Sequence, residues 1–371
     1  MKYYVIAGEA SGDLHGSNLL KQLFAKDPAA EVRCWGGHLM ESAGATLVKH
    51  YKDLAFMGFV EVLANLRTIF KNIAFCKEDI ESYQPDVLIL IDYPGFNLRI
   101  AKWAKSKGLK VIYYISPQVW AWKENRVKMM RQCIGLMLVI LPFEKPYYKN
   151  KWQWEVNYVG HPLLPVIEDF KANNTTSVIK KNRPLVAILP GSRKQEINVK
   201  LPVMLEATKQ FTDCDFVVAK APGLDESFYN GMLAPYTNVK WVSNQTYQLL
   251  SEADAAIVTS GTATLETALF EVPEVVCYKG NSVSYAIAKR IITIKYISLV
   301  NLIMDRPLVK ELIQFDMTAE NIVKELKLLL YDQQYQQKIK AGYKELKNIL
   351  TVDGNASETA ANAILKFMDQ Q

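Results

Sequence analysis

The stretch DVLILIDYPGFNLRIAKWAK, residues 86–105, decides the fold. An unbroken apolar run ends on an aspartate, a Pro-Gly pair forces a turn, and a helical pattern follows. A strand with one wet face alternates apolar and polar residues, whereas VLILI does not, so it is buried on both sides as in a parallel sheet covered by helices. The same grammar recurs in YYVIAG, EVRCWGG, KVIYYIS, LMLVILP and NYVGHP, with helical segments such as SNLLKQLFAK between them. Strands alternating with helices predict a mostly parallel sheet with helices on both faces.

Near residue 165 the texture changes. KANNTTSVIKKNRP is polar, ends in proline and reads as an interdomain segment or exposed loop. A second strand series follows: LVAILPGS, DFVVAKAP, VKWVS, AAIVTSGT and EVVCYKG. The chain is therefore expected to form two tandem α/β domains, 1–165 and 166–345, without a sequence repeat. The tail from 318 reads as helical, with Thr318 and Asn355 as N-caps and Glu358 at capping-box spacing from the latter. Part of it, about 346–371, is expected to cross back and complete the first domain.

With 371 residues, 50% of them hydrophobic, each half can bury its own core. A net charge of +6 is too modest to indicate bulk nucleic-acid binding. The five scattered cysteines form no CxxC pair, which points away from zinc or redox chemistry and toward core thiols in a reducing cytosol. MKYYVIAGE enters a strand at once and has none of the marks of a signal peptide. The longest charge-free apolar stretch, near 132, is far below the ~20 residues that span a bilayer, so membrane contact is expected to be peripheral.

Ligands of open parallel sheets bind outside the carboxyl ends of the strands, and those positions carry the candidate chemistry. AGEASGDLHG, 7–16, spaces its glycines by four, unlike a dinucleotide fingerprint. Gly12 and Gly16 would let the first helix lie close to the sheet, and Glu9, Asp13 and His15 would surround the strand end. The alternative is a tight turn with Asp13 capping the helix. Asp92 ends a buried strand, where burial raises the proton affinity a general base needs; the alternative is a turn aspartate bound to local amides. In LPGSRKQEI, 189–197, Arg193 suits bidentate phosphate contact or else pairs with Glu196 at the surface. In VTSGTATLETALFEVP, 258–273, Ser260, Gly261 and Thr262 open a helix whose amides and hydroxyls make an anion site, with Glu266 one turn on for a ribose. A plain Ser/Thr cap is the competing reading.

Two segments bear on lipid. In 57–75, Phe59, Val62, Leu63, Leu66, Phe70 and Ile73 fall near one face and Arg67 and Lys71 on another, fitting either a core-facing helix or a lipid-touching one. SPQVWAWKENRVKMMRQ, 116–132, sets two tryptophans before Lys123, Arg126, Lys128 and Arg131, a pattern suited to a membrane interface or to stacking in a core.

GEASGDLHG, MGFVEVL, IDYPGFN, SPQVWAW-x3-RV, VGHPL, LPGSRKQEI and SGTATLE occur in an order that resembles the bacterial lipid-A-disaccharide synthases, from Gly8 to about Gln314. The resemblance implies an α/β fold of two Rossmann-like domains with parallel sheets facing across a cleft, the GT-B type. It implies transfer of 2,3-diacylglucosamine from UDP to the 6-hydroxyl of 2,3-diacylglucosamine 1-phosphate, inverting and without metal or other cofactor. It places Asp92 first and Glu9 second as base, with Ser11, Asp13 and His15 on the acceptor side. Arg193 and the 260–262 amides would hold the diphosphate, Glu266 the ribose, and Asn301, Glu311 and Gln314 would line the donor side. The implied partners are the two acylated glucosamine lipids and the anionic cytoplasmic face of the inner membrane, with room for a homodimer. The chain departs from the family pattern at His38, Val300 and Lys310, where proline is usual. The rival readings are another UDP-sugar enzyme on this scaffold, such as a UDP-N-acetylglucosamine 2-epimerase, and a non-catalytic nucleotide- or membrane-binding module.

Overall fold

The apolar runs form strands buried along most of their length, and both sheets they build are wholly parallel. In this computed structural model the described residues are all except 55–65, 174–182, 222–223, 282–284, 286–289, 291, 293, 353 and 371. The chain divides into two compact units: Met1–Pro162 with Val352–Gln371, and Leu163–Thr351.

The first unit holds β1 (Lys2–Ala7), β2 (Glu31–Gly36), β3 (Thr46–His50), β4 (Val87–Ile91), β5 (Lys110–Tyr114), β6 (Leu136–Val139) and β7 (Asn157–Tyr158). Their order is β3-β2-β1-β4-β5-β6-β7. The chain builds outward from β1 in one direction, then crosses over to β4 and builds in the other. The β1/β4 boundary is thus a topological switch point, where helices leave the two strands on opposite faces and open a crevice. β4 is buried on both faces throughout, as its unbroken VLILI requires.

The second unit repeats the plan with β8 (Leu185–Leu189), β9 (Asp215–Lys220), β10 (Val239–Ser243), β11 (Ala255–Thr259), β12 (Glu274–Tyr278) and β13 (Lys310–Ile313), ordered β10-β9-β8-β11-β12-β13. Its switch point lies between β8 and β11.

The first helix, α1 (Ala10–Lys26), explains the glycine spacing of the opening loop. A Cβ on Gly12 would lie 3.1 Å from Ala7 Cβ, and one on Gly16 would lie 2.7 Å from Met40 Sδ and 3.2 Å from Ile91 Cδ1. The two positions face the sheet one turn apart, so their lack of side chains lets the helix lie against β1 and β4.

The tail is helical over Ala319–Tyr331, Gln333–Leu350 and Ala356–Asp369. Thr318 caps the first of these through Asn321 N at 3.2 Å, and Asn355 caps the last through Ser357 N at 2.8 Å. Glu358 does not close a capping box; it pairs with Lys26 of α1 at 3.1 Å. The last helix thus belongs to the first unit. The polar segment read as interdomain starts within the helix Leu163–Asn173, whose Lys171 reaches Leu269 O at 2.8 Å inside the second unit. The units part ahead of it, at Pro162/Leu163. All five cysteines are buried and free. Among the described residues, no helix is long and apolar enough to cross a membrane.

Candidate active site

At the β1/β4 switch point the chain places Glu9 at the N-cap of α1 and Asp92 directly after β4. Asp92 and Tyr93 both adopt left-handed backbone, with φ of 45° and 49°. Side chains other than glycine rarely sit there, and several contacts hold them. Asn97 Nδ2 donates to Asp92 O at 2.8 Å and to Ile91 O at 3.2 Å, and Tyr113 Oη donates to Asp92 O at 2.5 Å. The Tyr93 ring covers Gly8, where any Cβ would collide with it. Burial first and the Glu9 charge second push the Asp92 carboxyl up to about 7, against the Tyr93 amide, which lowers it.

Other ionisable groups gather on this unit. Glu144 is buried; it accepts from Leu141 N at 3.0 Å and Trp120 Nε1 at 3.1 Å, yet burial still pushes it up to about 7, with Asp92 adding to the rise. Burial lowers His15 to about 4, and burial with His15 nearby lowers His161 to about 3, so both imidazoles are neutral at physiological pH. His15 Nδ1 has no hydrogen-bond partner among the described residues. Ser11 is exposed on the first turn of α1. Asp13 is placed differently from the expectation. Its carboxylate accepts from Gly37 N at 2.8 Å, Leu39 N at 3.2 Å and Met40 N at 3.1 Å, so it caps the short helix α2 (His38–Ser42) rather than facing a ligand. Glu144, Asn97 and His161 were not among the candidate site residues, and Trp120 was read only as an interface aromatic. The burial of the first three and the Trp120–Glu144 contact follow from the fold rather than from spacing along the sequence.

At the β8/β11 switch point lies a cavity of about 250 Å³. Pro190, Gly191, Ser192 and Glu196 wall it after β8, Thr259 to Ala263 and Glu266 from the end of β11 onward, and Ala219, Lys220 and Ala221 at the end of β9. Gly191 needs its φ of +111° to make the turn. The helix Thr262–Leu269 starts from Gly261, which has no side chain to cap it, and Thr264 and Thr267 turn their hydroxyls back onto Gly261 O and Ala263 O. Its first amides thus lack a capping side chain and carry the positive end of the helix dipole into the cavity wall. Glu266 accepts from Tyr247 Oη at 3.3 Å, and burial raises its proton affinity. Arg193 is not among the cavity walls; its guanidinium lies on Glu196 at 3.2 Å, the ion-pair alternative.

Asn301, Glu311 and Gln314 do not line this cavity either. Glu311 accepts from Ile297 N, Ser298 N, Ser298 Oγ and Asn301 Nδ2, all at 2.9–3.2 Å. Asn301 also exchanges hydrogen bonds with Val309, and Gln314 accepts from Gly280 N at 2.9 Å. Together Glu311 and Asn301 fix the turn into the helix Leu299–Met304, whose N-cap is Ser298. Ser260 Oγ donates to Ile297 O at 2.8 Å, so that turn in turn holds a cavity wall. Their effect on the cavity is indirect.

Of the lipid-facing candidates, Phe59, Val62 and Leu63 lie outside the described residues, as does the Leu66 side chain. Phe70 is 59% exposed with Arg99 over its ring, while Ile73 is buried. The two tryptophans of 116–132 divide: Trp120 turns toward Glu144, and Trp122 is exposed with Lys123 Nζ 4.0 Å from its ring centroid.

Solved structures share this architecture over their whole length. The UDP-GlcNAc 2-epimerase of Neisseria meningitidis aligns with a TM-score of 0.69 at 14% identity, covering 99% of this chain and 100% of that one. The calicheamicin glycosyltransferase CalG4 aligns with a TM-score of 0.61 at 14% identity, covering 100% and 98%. Such identities show fold alone, and the fold is that of the GT-B glycosyltransferases and epimerases. Sequence narrows the class: the chain belongs to the lipid-A-disaccharide synthetase family, whose sequence model matches residues 3–365. It is 37% identical over 369 residues to the lipid-A-disaccharide synthase of Syntrophus aciditrophicus, covering 97% of this chain and 96% of that one. It is 38% identical over 375 residues to that of Geobacter metallireducens, covering 99% and 97%. The epimerase reading is not favoured, since its likeness stops at the fold.

Proposed function

We propose that the chain carries out its family's hexosyl transfer. It moves 2,3-diacylglucosamine from UDP to the 6-hydroxyl of 2,3-diacylglucosamine 1-phosphate, giving the β-1,6 disaccharide 1-phosphate and UDP. The observation that carries this reading is family membership over nearly the whole chain, joined to a carboxyl of raised proton affinity at the switch point of the first unit. Asp92 takes the proton from the acceptor hydroxyl as it attacks the anomeric carbon, with Glu9 holding its proton affinity near the working pH. The inversion follows from a single displacement. On the second unit, the amides of Thr262 and Ala263 with the Ser192 hydroxyl and Arg193 bind the diphosphate and stabilise the departing UDP. Glu266, oriented by Tyr247, accepts from the ribose. In this reading fixed dipoles and an arginine neutralise the leaving group, and no metal is needed. The test is UDP release from the two acylated glucosamines in the presence of a chelator. Wild type is expected to turn over, and Asp92→Asn to lose about 10²–10⁴-fold in kcat with donor KM little changed. Absence of UDP release with both lipids present overturns the reading.

We further propose peripheral association with the anionic cytoplasmic face of the inner membrane through the surface bearing Phe70, Trp122 and Lys123. Exposed aromatics beside cations support it. Phe70→Ser with Trp122→Ser is expected to weaken sedimentation with phosphatidylglycerol vesicles and to leave the melting temperature near that of wild type. Unchanged sedimentation refutes this surface.

A further inference from the structure

Arg193 is the cation that sequence assigns to the diphosphate, yet it lies on Glu196 Oε1 at 3.2 Å and outside the cavity wall. Glu196 is in that wall. Its Oε2 receives Lys200 Nζ at 3.3 Å and leans over the glycine turn, 3.1 Å from where a Gly191 Cβ would stand. A carboxylate in the wall of an anion cavity repels what the cavity is shaped to bind, and here it also occupies the arginine. The two cations differ in exposure. Arg193 is 57% exposed at the start of its helix, Lys194–Thr208, whereas Lys200 is 3% exposed further along it, with its ammonium 5.8 Å from the Tyr278 ring centroid. The exposed guanidinium is within reach of a ligand in the solvent, whereas the buried ammonium is not.

We propose that Glu196 is an anionic placeholder at the diphosphate site, holding Arg193 back until a diphosphate outcompetes it, with Lys200 as the fixed counter-charge that stays on Glu196. This rests on the reading of the cavity as the diphosphate site. An exposed carboxylate–arginine pair is weak, and a diphosphate offers the same guanidinium a stronger, bidentate set of acceptors, so the exchange runs toward the ligand. Lys200 makes the exchange tolerable, because Glu196 keeps a positive partner when Arg193 leaves. Before ligand arrives, Arg193 and Lys200 both sit on Glu196, one on each carboxylate oxygen, so the wall's carboxylate is compensated from two sides.

The experiment is calorimetric titration with UDP of wild type, E196Q, R193M, E196Q/R193M, K200M and E196Q/K200M, each checked by thermal melting. E196Q is expected to bind UDP about three- to fivefold more tightly than wild type, the scale of one exposed ion pair. In the R193M background the gain should vanish. K200M should bind UDP more weakly, and E196Q/K200M, which removes both partnered charges together, should restore binding to at least the wild-type level and guards against a folding defect in either single variant. Weaker or unchanged UDP binding by folded E196Q overturns the placeholder, as does a gain that persists without Arg193. Absence of UDP binding by wild type overturns the diphosphate reading itself, and the placeholder with it.

Discussion

Asp92 combines a strained backbone, a buried carboxyl and an acidic neighbour, and each was legible to a different degree. Its position after an unbroken apolar strand showed that burial would hold its proton. The left-handed backbone, and the Asn97 and Tyr113 bonds that fix it, required the fold. The sign of the pH dependence follows from the cause: burial and Glu9 raise the pKa from 3.8 to about 7, and only the ionised form serves as base. Turnover is therefore expected to rise with pH through about 7 and level off above it. Glu9→Gln removes a negative neighbour, favours the ionised form and should move that limb to lower pH. A kcat–pH profile of the two proteins decides it; coincident limbs would remove Glu9 from the account. Glu144 escaped the sequence reading because its environment comes from Trp120 and the β6 end, and an LPFE run by itself looks like an ordinary helix start. Asp13 misled for the reverse reason, since three charged or polar types at one strand end resemble a site even when one is spent on three amides of a neighbouring helix.

At the level of elements, strand existence was written in composition, whereas the use of each strand end was not. The hydroxyl-rich start of Thr262–Leu269 reads equally as a self-capped helix or an anion site. In the structure Thr264 and Thr267 bond backward along the helix and Gly261 supplies no cap, geometry that spacing along the chain could not reveal. Glu311 and Asn301 illustrate the opposite limit: family resemblance could place them on the donor side, but spacing could not show that the Glu311 carboxylate is spent on the 297–301 backbone and on Asn301. Replacing Glu311 by Ala leaves the Ile297 and Ser298 amides and the Asn301 amide group short of an acceptor, at about 1–3 kcal/mol for each group left unsatisfied. The expected outcome is a lower melting temperature together with a several-fold rise in donor KM and a smaller change in kcat, because the turn carries Ser260. Equal KM values in a steady-state assay would show the turn to be mere scaffolding.

Across the whole molecule, the two-fold use of one strand order was foreseeable from the alternating pattern, and the change of texture near 165 put the seam at 165/166. The units part at Pro162/Leu163, three residues earlier, within VGHPL, which reads as the end of a strand. The packing of the last helix on α1, with Phe367 filling the space beside Gly135, ties distant chain to the first unit. Truncation after Thr351 is expected to bare that surface and lower the unfolding temperature of the first unit, with UDP affinity on the second retained. Loss of UDP binding in the truncated protein would show that the units do not hold their structure separately.

The same return of the chain orders events at the ribosome. Residues 163–351 are contiguous, so the second unit has all its parts as soon as they have emerged, while the first, begun earlier, must wait for Val352 and beyond. During that interval the face of α1 that will receive the last helix is bare. The half bearing Asp92 is thus started first and finished last, and a nascent-chain chaperone or a stalled ribosome would meet a chain whose second unit is already complete while its first still lacks a helix.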